Sequence, residues 1–500
     1  MRTLFPRRLV PALVVAVLMA GGCGRGAAAP VPPQPQPVDG GKLVFALPGD
    51  PGSVTPLYGG DDTGMLIERN VFSGLVDADP TTLRTMPAIA RSWSASPDHR
   101  TYTFRLRPHV SFQDGGGPVT AATFVSDWAL LCSPQVESPN AQVLAAVAGY
   151  GACASGSGRL AGVRADGPLT LVVRLSRPVA DFAAVLVDPA TWAFPPQLSA
   201  TPAARAAFEA NPVGAGPFTV DTFRRSVHPA GKRAVAGLVV LTRNPSYWGQ
   251  RAHLARVVMP VVSGADARLI AAYRSGRYQV LPLPADEVDV VRADPEFDRQ
   301  LLTAPRLSLT YLGRNRPGAP PLAGAVDASR VTTLTQGKAG QVADALVPVG
   351  MPGYVPRLVG FPRRSPARSF VTLTRQTDPS KAAVTAAVAR LLRNQGAQVR
   401  LVPRGSWAVG RLDLQSAAPG AVIAGLVGPR SPLTRQVEAA GRDGVDQELL
   451  DAQRRLLDSG SVVPLSFGQT QLLVNPAVHG LGVDGLGVPR LTNVWVQPSS

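Results

Sequence analysis

An alternation of strand-like and helix-like segments runs along this chain from about residue 42 onward, and it limits the fold more than any other feature. Thr101–Leu106 and Leu169–Leu175 alternate apolar and polar side chains with the period of two that predicts half-buried strands. Lys381–Asn394 instead repeats its apolar residues every three or four positions, which predicts a helix, and it leads into the strand-like Gln398–Val402. The pattern predicts a mixed α/β fold without internal repeats.

The length of the chain predicts more than one lobe. It has 500 residues, and most of them follow a proline-rich segment that ends near residue 40. A single hydrophobic core stops growing at roughly 250–300 residues. We therefore expect two or more α/β lobes.

The first 23 residues have the pattern of a bacterial export signal. Three early arginines precede the apolar run Leu9–Ala20, and two glycines lead into Cys23. Because the run is too short to span a bilayer as a stable helix, we expect residues 1–22 to be a signal peptide. A cysteine directly after small residues resembles a lipobox, so we expect Cys23 to be lipidated. The alternative is ordinary cleavage beside an incidental cysteine.

The segment 23–40 is predicted to be a tether. It is rich in Ala, Pro, Gln and Gly, and its prolines favour extended polyproline II structure. It cannot bury enough apolar surface to fold. We expect it to hold a globular body close to the extracytoplasmic face of the cell membrane.

The remaining cysteines agree with export. Apart from Cys23, the chain contains only Cys132 and Cys153. In an oxidising compartment such a pair is expected to form a disulfide, and the alternative is two buried free thiols. Without a nearby histidine cluster the two cysteines do not indicate a metal site.

The charge of the chain does not indicate a nucleic-acid partner. The formal charge is +16, but the sequence has no dense basic helix, no zinc-finger spacing and no alternation of aromatic and basic residues. We therefore expect no nucleic acid among its partners.

Catalytic motifs are also missing from the sequence. The five histidines are scattered, and there is no G-x-S-x-G, H-E-x-x-H or P-loop pattern. Gly480–Gly485 satisfies G-x-G-x-x-G, but no long helix follows to complete a dinucleotide site. We expect neither an enzyme nor a bound cofactor or metal.

Several short segments together resemble one family. They are Asn70–Val76 (NVFSGLV), Pro87–Trp93 (PAIARSW), Thr101–Val119 (TYTFRLRPHVSFQDGGGPV), Asn211–Phe218 (NPVGAGPF), Arg243–Trp248 (RNPSYW) and Gly487–Trp495 (GVPRLTNVW). Their types and order are similar to the extracellular solute-binding proteins of family 5, the dipeptide and oligopeptide receptors of ABC importers. The resemblance is good over residues 43–311 and 461–499 and thin between them, where the second lobe looks diverged and shortened.

The resemblance implies a class II periplasmic-binding-protein clamshell, in which two α/β lobes joined by a hinge close on a ligand. Lobe I would comprise residues 41–265 and 463–500, with an extra subdomain at about 83–205, and lobe II would comprise 266–462. The loop closed by Cys132 and Cys153 would decorate the subdomain and not the cleft. A monomer would present its ligand to an ABC transporter permease.

The second lobe departs from the family at one important point. Peptide-binding members carry an aspartate after a "G-W" pair, and it pairs with the ligand's α-ammonium. The equivalent stretch here is expected to be Ala424–Pro432, which contains no acid. Because a buried ammonium needs an anionic partner, either another acid replaces it or the ligand is not an ordinary peptide.

The resemblance also implies a set of residues that contact the ligand. These are Gly60, Asp61, Asp62, Thr63, Asn140, Trp407 and Phe467. For Asp61 and Asp62 the alternative is a solvated turn before a helix, and for Trp407 it is a place in the core.

Three classes of function follow from the sequence. The first is a membrane-anchored lipoprotein that delivers peptides or similar small solutes to an ABC importer. The second is a non-transport, regulatory or lipid- or glycolipid-binding envelope lipoprotein on the same fold. The third, an envelope hydrolase, lacks any group of residues that would form a nucleophile.

Overall fold

The structure is a computed structural model that describes residues 36–195, 201–227, 235–262, 267–285, 287–360, 366, 368–440 and 445–498. Cys23, the signal peptide expected at 1–22 and tether residues 23–35 lie outside these ranges, so export and lipidation stay predictions. Among the residues within them, no helix has both the length and the apolar character needed to cross a bilayer.

The strands are numbered in chain order. They are β1 (Lys42–Val44), β2 (Val76–Ala78), β3 (Thr85–Pro87), β4 (Ala90–Ala95), β5 (Thr101–Leu106), β6 (Val163–Ala165), β7 (Thr170–Arg174), β8 (Phe218–Arg224), β9 (Leu238–Arg243), β10 (Arg256–Pro260), β11 (Val280–Pro282), β12 (Leu301–Arg314), β13 (Gln341–Val342), β14 (Phe370–Thr374), β15 (Gln398–Val402), β16 (Trp407–Asp413), β17 (Val462–Val474), β18 (Val478–His479), β19 (Gly482–Val483), β20 (Pro489–Arg490) and β21 (Trp495–Val496).

The helices are numbered in the same way. They are α1 (Asp62–Val71), α2 (Ala121–Leu131), α3 (Tyr150–Ala154), α4 (Phe182–Val185), α5 (Pro202–Ala210), α6 (Ala267–Arg274), α7 (Val288–Arg292), α8 (Pro295–Asp298), α9 (Ala328–Gln336), α10 (Pro379–Asn394), α11 (Pro419–Val427), α12 (Pro432–Ala439) and α13 (Val445–Asp458). Short 3₁₀ helices occur at Gln113–Gly115, Ala141–Leu144 and Pro189–Thr191.

The first sheet contains four strands in the order β1-β10-β9-β8. β1 runs parallel to β10, and the other neighbours are antiparallel. The C-terminal segment returns to this part of the molecule, where the His253 amide donates a hydrogen bond to the Thr492 carbonyl at 3.3 Å. The C-terminal segment therefore lies beside the first sheet without adding a strand to it.

A cluster of four buried charges connects the C-terminal segment to α1 and β2. Arg69 of α1 lies 3.3 Å from Asp77 and 3.7 Å from Asp484. Arg490 in turn lies 2.9 Å from Asp77 and 2.8 Å from Asp484. Burial opposes ionisation of Asp77, but Arg490 and Arg69 hold its pKa below the ordinary value. These four residues are called the buried ion cluster below.

A second sheet, also of four strands, lies within the residues expected to form the subdomain. Its order is β4-β5-β7-β6, with all neighbours antiparallel, and α2 packs on β6 and β7. The expected disulfide is present, since Cys132 at the end of α2 is bonded to Cys153 of α3. The loop that it closes does more than decorate the subdomain, because part of it lines a cavity described below.

A seven-stranded sheet dominates the second half of the chain. Its order is β11-β17-β12-β16-β14-β15, and β13 pairs with β17. β14, α10 and β15 form a parallel βαβ unit, so this sheet is mixed. β17 lies inside this sheet over its whole length to Val474. The strand pairs with β12 and β11 and not with the first sheet, and the return to lobe I expected at residue 463 stays a prediction.

The first sheet and the seven-stranded sheet are joined by hydrogen bonds as well as by the chain. The Ala46 amide donates to the Val280 carbonyl at 2.9 Å, and the Val44 amide donates to Gln279 Oε1 at 2.7 Å. β1 of the first sheet thus ends beside β11 of the seven-stranded sheet.

Candidate functional site

The larger of two neighbouring cavities has a volume of about 520 Å³ and is called the large cavity here; it lies between the subdomain and the helices that follow β16. One wall comes from residues 139–188 and the other from residues 413–440. Apolar side chains line both walls, among them Val143, Ala146, Phe182, Val185, Leu414, Ala421 and Val437. Its volume falls in the range of roughly 300–1,000 Å³ that is typical of small-molecule sites.

An ion pair bridges the two walls of the large cavity. Arg177 Nη2 lies 2.6 Å from Glu438 Oε2, and Arg177 Nη1 donates to the Ala145 carbonyl at 3.3 Å. The Ala180 amide donates to the Glu438 carbonyl at 3.0 Å. Burial raises the pKa of Glu438, and the Arg177 charge opposes that rise. The pair therefore holds the subdomain against α12.

A carboxyl group that forms no ion pair with any described residue also faces the large cavity. Asp188 lines the wall just before the 3₁₀ helix Pro189–Thr191, and its Oδ1 accepts a hydrogen bond from the Ala190 amide at 3.0 Å. Burial raises the pKa of Asp188 to about 6, while this hydrogen bond and the Arg69 charge act in the opposite direction. Its charge is therefore poorly compensated by the protein.

A second cavity, of about 490 Å³, shares Asp413 with the first and is called the polar cavity. Residues 60–63, at the start of α1, form one side of it. Asp378, Lys381 and Arg411 belong to the opposite side, which comes from the seven-stranded sheet and α10. Carboxylates at the start of α1 therefore face cations of the seven-stranded sheet and α10 across a gap.

Four charged groups form a cluster at the edge of the polar cavity. Arg306 pairs with Asp62 across the gap and lies 3.5 Å from Asp413. Arg411 lies 3.0 Å from Asp413 and 4.0 Å from Asp62. Burial opposes ionisation of Asp62, but its hydrogen bond to Arg306 and the charges of both arginines hold its pKa below the ordinary value. These four residues are called the cleft ion cluster.

The structure places the four residues expected at the start of α1 together in the polar cavity. Asp61 serves as the N-cap of α1, since its Oδ1 accepts from the Thr63 and Gly64 amides at 3.1 and 2.9 Å. Asp62, in contrast, points its charge at Arg306. Gly60 and Thr63 line the cavity beside them. Asp61 thus has the turn role that was the alternative interpretation, and Asp62 faces the opposite wall.

Asn140 lies where the large cavity meets the segment before α1. Its Nδ2 donates to the Gly59 carbonyl at 2.6 Å, and its side chain belongs to the lining of the large cavity. Ser138 Oγ makes a similar contact, donating to the Leu57 carbonyl at 2.5 Å. Asn140 therefore positions the backbone of the segment that leads into the polar cavity.

Trp407 and Phe467 lie in the core. Trp407 is fully buried, and its Nε1 donates to the Pro320 carbonyl at 3.0 Å. Phe467 is 1% exposed in β17 and packs edge-on against Tyr354 at a ring separation of 6.3 Å. Trp407 therefore occupies a core position, which was its alternative interpretation, and the ligand contacts expected for both residues stay predictions.

Sequence reasoning missed the acids and cations that the second half of the chain contributes. The stretch Ala424–Pro432 does touch the large cavity through Ala424, Gly425 and Pro429, and it has no acid. The carboxylates come instead from its flanks, at Asp413 and Glu438. Asp413 is the last residue of β16, a strand that was not predicted from the sequence.

The described residues contain no group of three or more His, Cys, Asp or Glu side chains arranged to hold a metal ion. The two cavities offer charged groups, hydrogen-bonding groups and apolar surface to a ligand.

Sequence comparison relates this chain to proteins that bind solutes. Residues 84–432 match the model of the bacterial extracellular solute-binding proteins, family 5 middle. The periplasmic oligopeptide-binding protein OppA of Escherichia coli K12 is 30% identical over 291 residues, which cover 55% of this chain and 49% of that protein. Protein XP55 of Streptomyces lividans is 28% identical over 344 residues, 66% of this chain and 57% of that protein. The chain spans about half the length of the curated relatives it matches.

Solved structures share the fold over nearly the whole chain. The murein tripeptide binding protein MppA of Escherichia coli gives a TM-score of 0.73 at 19% identity, covering 92% of this chain and 99% of that one. Clavulanic acid biosynthesis oligopeptide binding protein 2 gives 0.77 at 17% identity, covering 93% and 97%. The two-lobed clamshell expected from the sequence is thereby confirmed.

Proposed function

Because this chain belongs to the bacterial extracellular solute-binding proteins of family 5, we propose that it captures peptides or similar small solutes and delivers them to an ABC importer. The ligand would lie in the large and polar cavities, which share Asp413. No catalytic step is part of this proposal.

The observation that carries the proposal is that both cavities have walls from the two halves of the chain. Residues 60–63 face Lys381 and Arg411, and residues 139–188 face residues 413–440. A ligand between such walls loses contact with water when the lobes close, and closure gives a permease a surface that reports occupancy.

The charges of the polar cavity support a zwitterionic ligand. Asp62, Asp378 and Asp413 offer carboxylates, while Lys381 and Arg411 offer cations within the same space. A peptide carries an ammonium at one end and a carboxylate at the other, and complementary charges favour it over a neutral solute. The relatives named as oligopeptide- and tripeptide-binding proteins support the same class of ligand.

Ligand screening tests this proposal. Native mass spectrometry of the purified protein would show any co-purified solute, and thermal shift would rank di- to pentapeptides against lipid extracts. A peptide at 100 times its Kd should stabilise the protein by about 2.7 kcal/mol. If no peptide raises the melting temperature, the peptide proposal is wrong.

A matched pair of variants makes the test specific for the cleft. Arg411→Gln should weaken peptide binding, because it removes a cation that lines the polar cavity. Arg164→Gln makes the same chemical change at an exposed residue of the subdomain, whose side chain lies 3.8 Å from Asp166. Equal affinities of the two variants would place the ligand elsewhere.

Membrane attachment forms a separate part of the proposal. Removal of residues 1–22 and lipidation of Cys23, followed by the tether to residue 40, would keep the binding protein beside its permease on the extracytoplasmic face. Cys23→Ala should release the protein from the membrane without lowering its melting temperature. A variant that stays fully membrane-bound would contradict lipidation at this residue.

The apolar lining of the large cavity favours a second candidate function. Valine, alanine, leucine and phenylalanine side chains would suit the acyl part of a lipid or glycolipid. In the same screen, stabilisation by a lipid fraction without any peptide effect would assign the protein to envelope regulation or lipid binding and not to peptide transport.

A further inference from the structure

The walls of the large cavity are suited to an aliphatic chain. Val143, Ala146 and Val185 line the wall on the subdomain side, and Leu414, Ala421 and Val437 line the other. A methylene group that moves from water to such a surface gains about 0.8 kcal/mol. Apolar contact alone, however, would not distinguish one apolar group from another.

The charges that face this cavity are predominantly negative. The lining contains one arginine and four carboxyl residues, which are Arg177, Asp181, Asp188, Asp413 and Glu438. Arg177 is paired with Glu438, and Asp413 is paired with Arg411 and Arg306. Asp188 has no such pairing, because in the described part of the chain its carboxyl group accepts the Ala190 amide and forms no ion pair.

The carboxyl group of Asp188 keeps acceptor capacity for a cation. Its Oδ1 accepts the Ala190 amide at 3.0 Å, whereas a carboxylate can accept about four hydrogen bonds in all. A primary ammonium on an aliphatic stem needs only one of these positions, and its methylene groups suit the apolar walls.

From this lining we propose that the large cavity binds an aliphatic chain that ends in a primary ammonium, such as a lysine side chain of a peptide, with Asp188 as its counter-charge. This inference rests on the proposed function, since it names a ligand class for the same cleft. The methylene groups contact the apolar walls, and the ammonium donates a hydrogen bond to the Asp188 carboxylate.

The ionisation of Asp188 makes the proposed preference depend on pH. The titratable and charged groups around it are Glu68, Arg69, Arg177, Asp181, Asp413 and Glu438. Since burial raises the pKa of Asp188 to about 6, its carboxylate is charged above that pH and neutral below it. The preference for an ammonium should therefore be present at pH 7.5 and lost at pH 5.

Matched peptides test the proposal. Isothermal titration calorimetry would compare three tripeptides, with lysine at the first, second or third position among alanines, to the same peptides with norleucine, which keeps the aliphatic chain but lacks the ammonium. We expect lysine to bind about tenfold more tightly in at least one position at pH 7.5, as for a hydrogen bond to a charged group. Equal affinities in all three positions would overturn the proposal.

The variant Asp188→Asn should remove the preference for lysine over norleucine, because it replaces the carboxylate with a neutral group of the same shape. Asp166→Asn, at an exposed residue of the subdomain, serves as the control and should keep the tenfold ratio. A ratio that survives in Asp188→Asn would assign the counter-charge to another residue and overturn the proposal.

The proposed function and this inference can fail separately. If no tripeptide binds at all, the proposed function fails and this inference fails with it. If tripeptides bind but do not distinguish lysine from norleucine, the proposed function stands and only this inference is wrong. The loss of preference in the wild-type protein at pH 5 gives a check that does not depend on the folding of a variant.

Discussion

Two clusters with the same composition, two arginines and two aspartates, occupy different environments in this molecule. In the buried ion cluster no side chain is more than 26% exposed, and that of Arg69 is completely buried. In the cleft ion cluster the exposures range from 10% for Arg306 to 56% for Asp62. The same four charges are thus arranged once away from water and once at the edge of a cavity.

This difference separates a structural role from a binding role. A buried charge loses hydration on folding, so removing one partner leaves an uncompensated charge that is costly. An exposed pair keeps much of its hydration, and its partners can exchange with water or ligand at small cost. We therefore expect the buried ion cluster to fix the fold and the cleft ion cluster to respond to the ligand.

The largest effect is expected for Asp484→Asn in the buried ion cluster. The variant leaves the Arg69 and Arg490 guanidinium groups with one aspartate between them, and breaking such a pair costs about 3–5 kcal/mol. Asparagine can still accept the Leu486 and Val488 amides, so we expect the lower end of this range. Urea unfolding measures the free energy of unfolding, with Asp62→Asn as the control. Equal losses in both variants would erase the distinction between the clusters.

The disulfide gives the next largest effect and lies near the cleft. Cys132→Ser with Cys153→Ser should lower the free energy of unfolding by roughly 3 kcal/mol, because the unfolded chain gains entropy. The loop also carries Asn140 and Val143 of the large cavity, so we expect weaker ligand binding as well. Thermal melts and titrations under oxidising and reducing conditions check both. An unchanged affinity would show that the cavity wall does not need the link.

Asp188→Asn should raise stability at neutral pH. Because the pKa of Asp188 is about 6 in the folded state and about 3.9 in an unfolded chain, the folded state holds more protons between these values. Its stability therefore falls as the pH rises from about 4 to 6. Since Asp188 is partly exposed to the cavity, we expect the variant to be about 1–2 kcal/mol more stable at pH 7.5 and unchanged at pH 4. A variant less stable at both pH values would contradict the assigned pKa.

The smallest effect is expected for Asp62→Asn in the cleft ion cluster. Its cost to stability should be at most about 1 kcal/mol at low salt and near zero at 1 M salt, where charges are screened beyond about 3 Å. Because the pKa of Asp62 is lowered in the folded state, its contribution is present above pH 4 and is lost as the pH falls further. Chemical unfolding at two salt concentrations measures this. A large, salt-independent loss would mean that this cluster is structural too.

Local structure followed well from the sequence. β5 and β15 have the bounds that their alternation predicted, and α10 extends the predicted helix by two residues at Pro379. These elements are determined by patterns that repeat within a few residues. β17, in contrast, reaches Val474 because it pairs with the distant strands β11 and β12. Pairing with a distant strand leaves little trace in a local pattern.

The candidate site was only partly predictable for the same reason. Residues 60–63 and Asn140 were found through family motifs, and both groups line cavities. Arg306, Arg411 and Asp413 acquire their role from a contact with Asp62, which lies far away in the sequence. Trp407 shows the opposite case. The family resemblance placed it near an aromatic residue that lines the cleft, but in the structure it lies in the core.

The buried ion cluster also sets an order of events during synthesis. The hydrogen bonds between Arg490 and Asp77 join residues 413 positions apart. α1 and β2 emerge early from the ribosome, but Arg69 and Asp77 meet their partners only after almost the whole chain has been made. Contacts of such large sequence separation form late and slowly. The contacts that join the C-terminal segment to α1 and β2 therefore cannot form until translation is nearly complete.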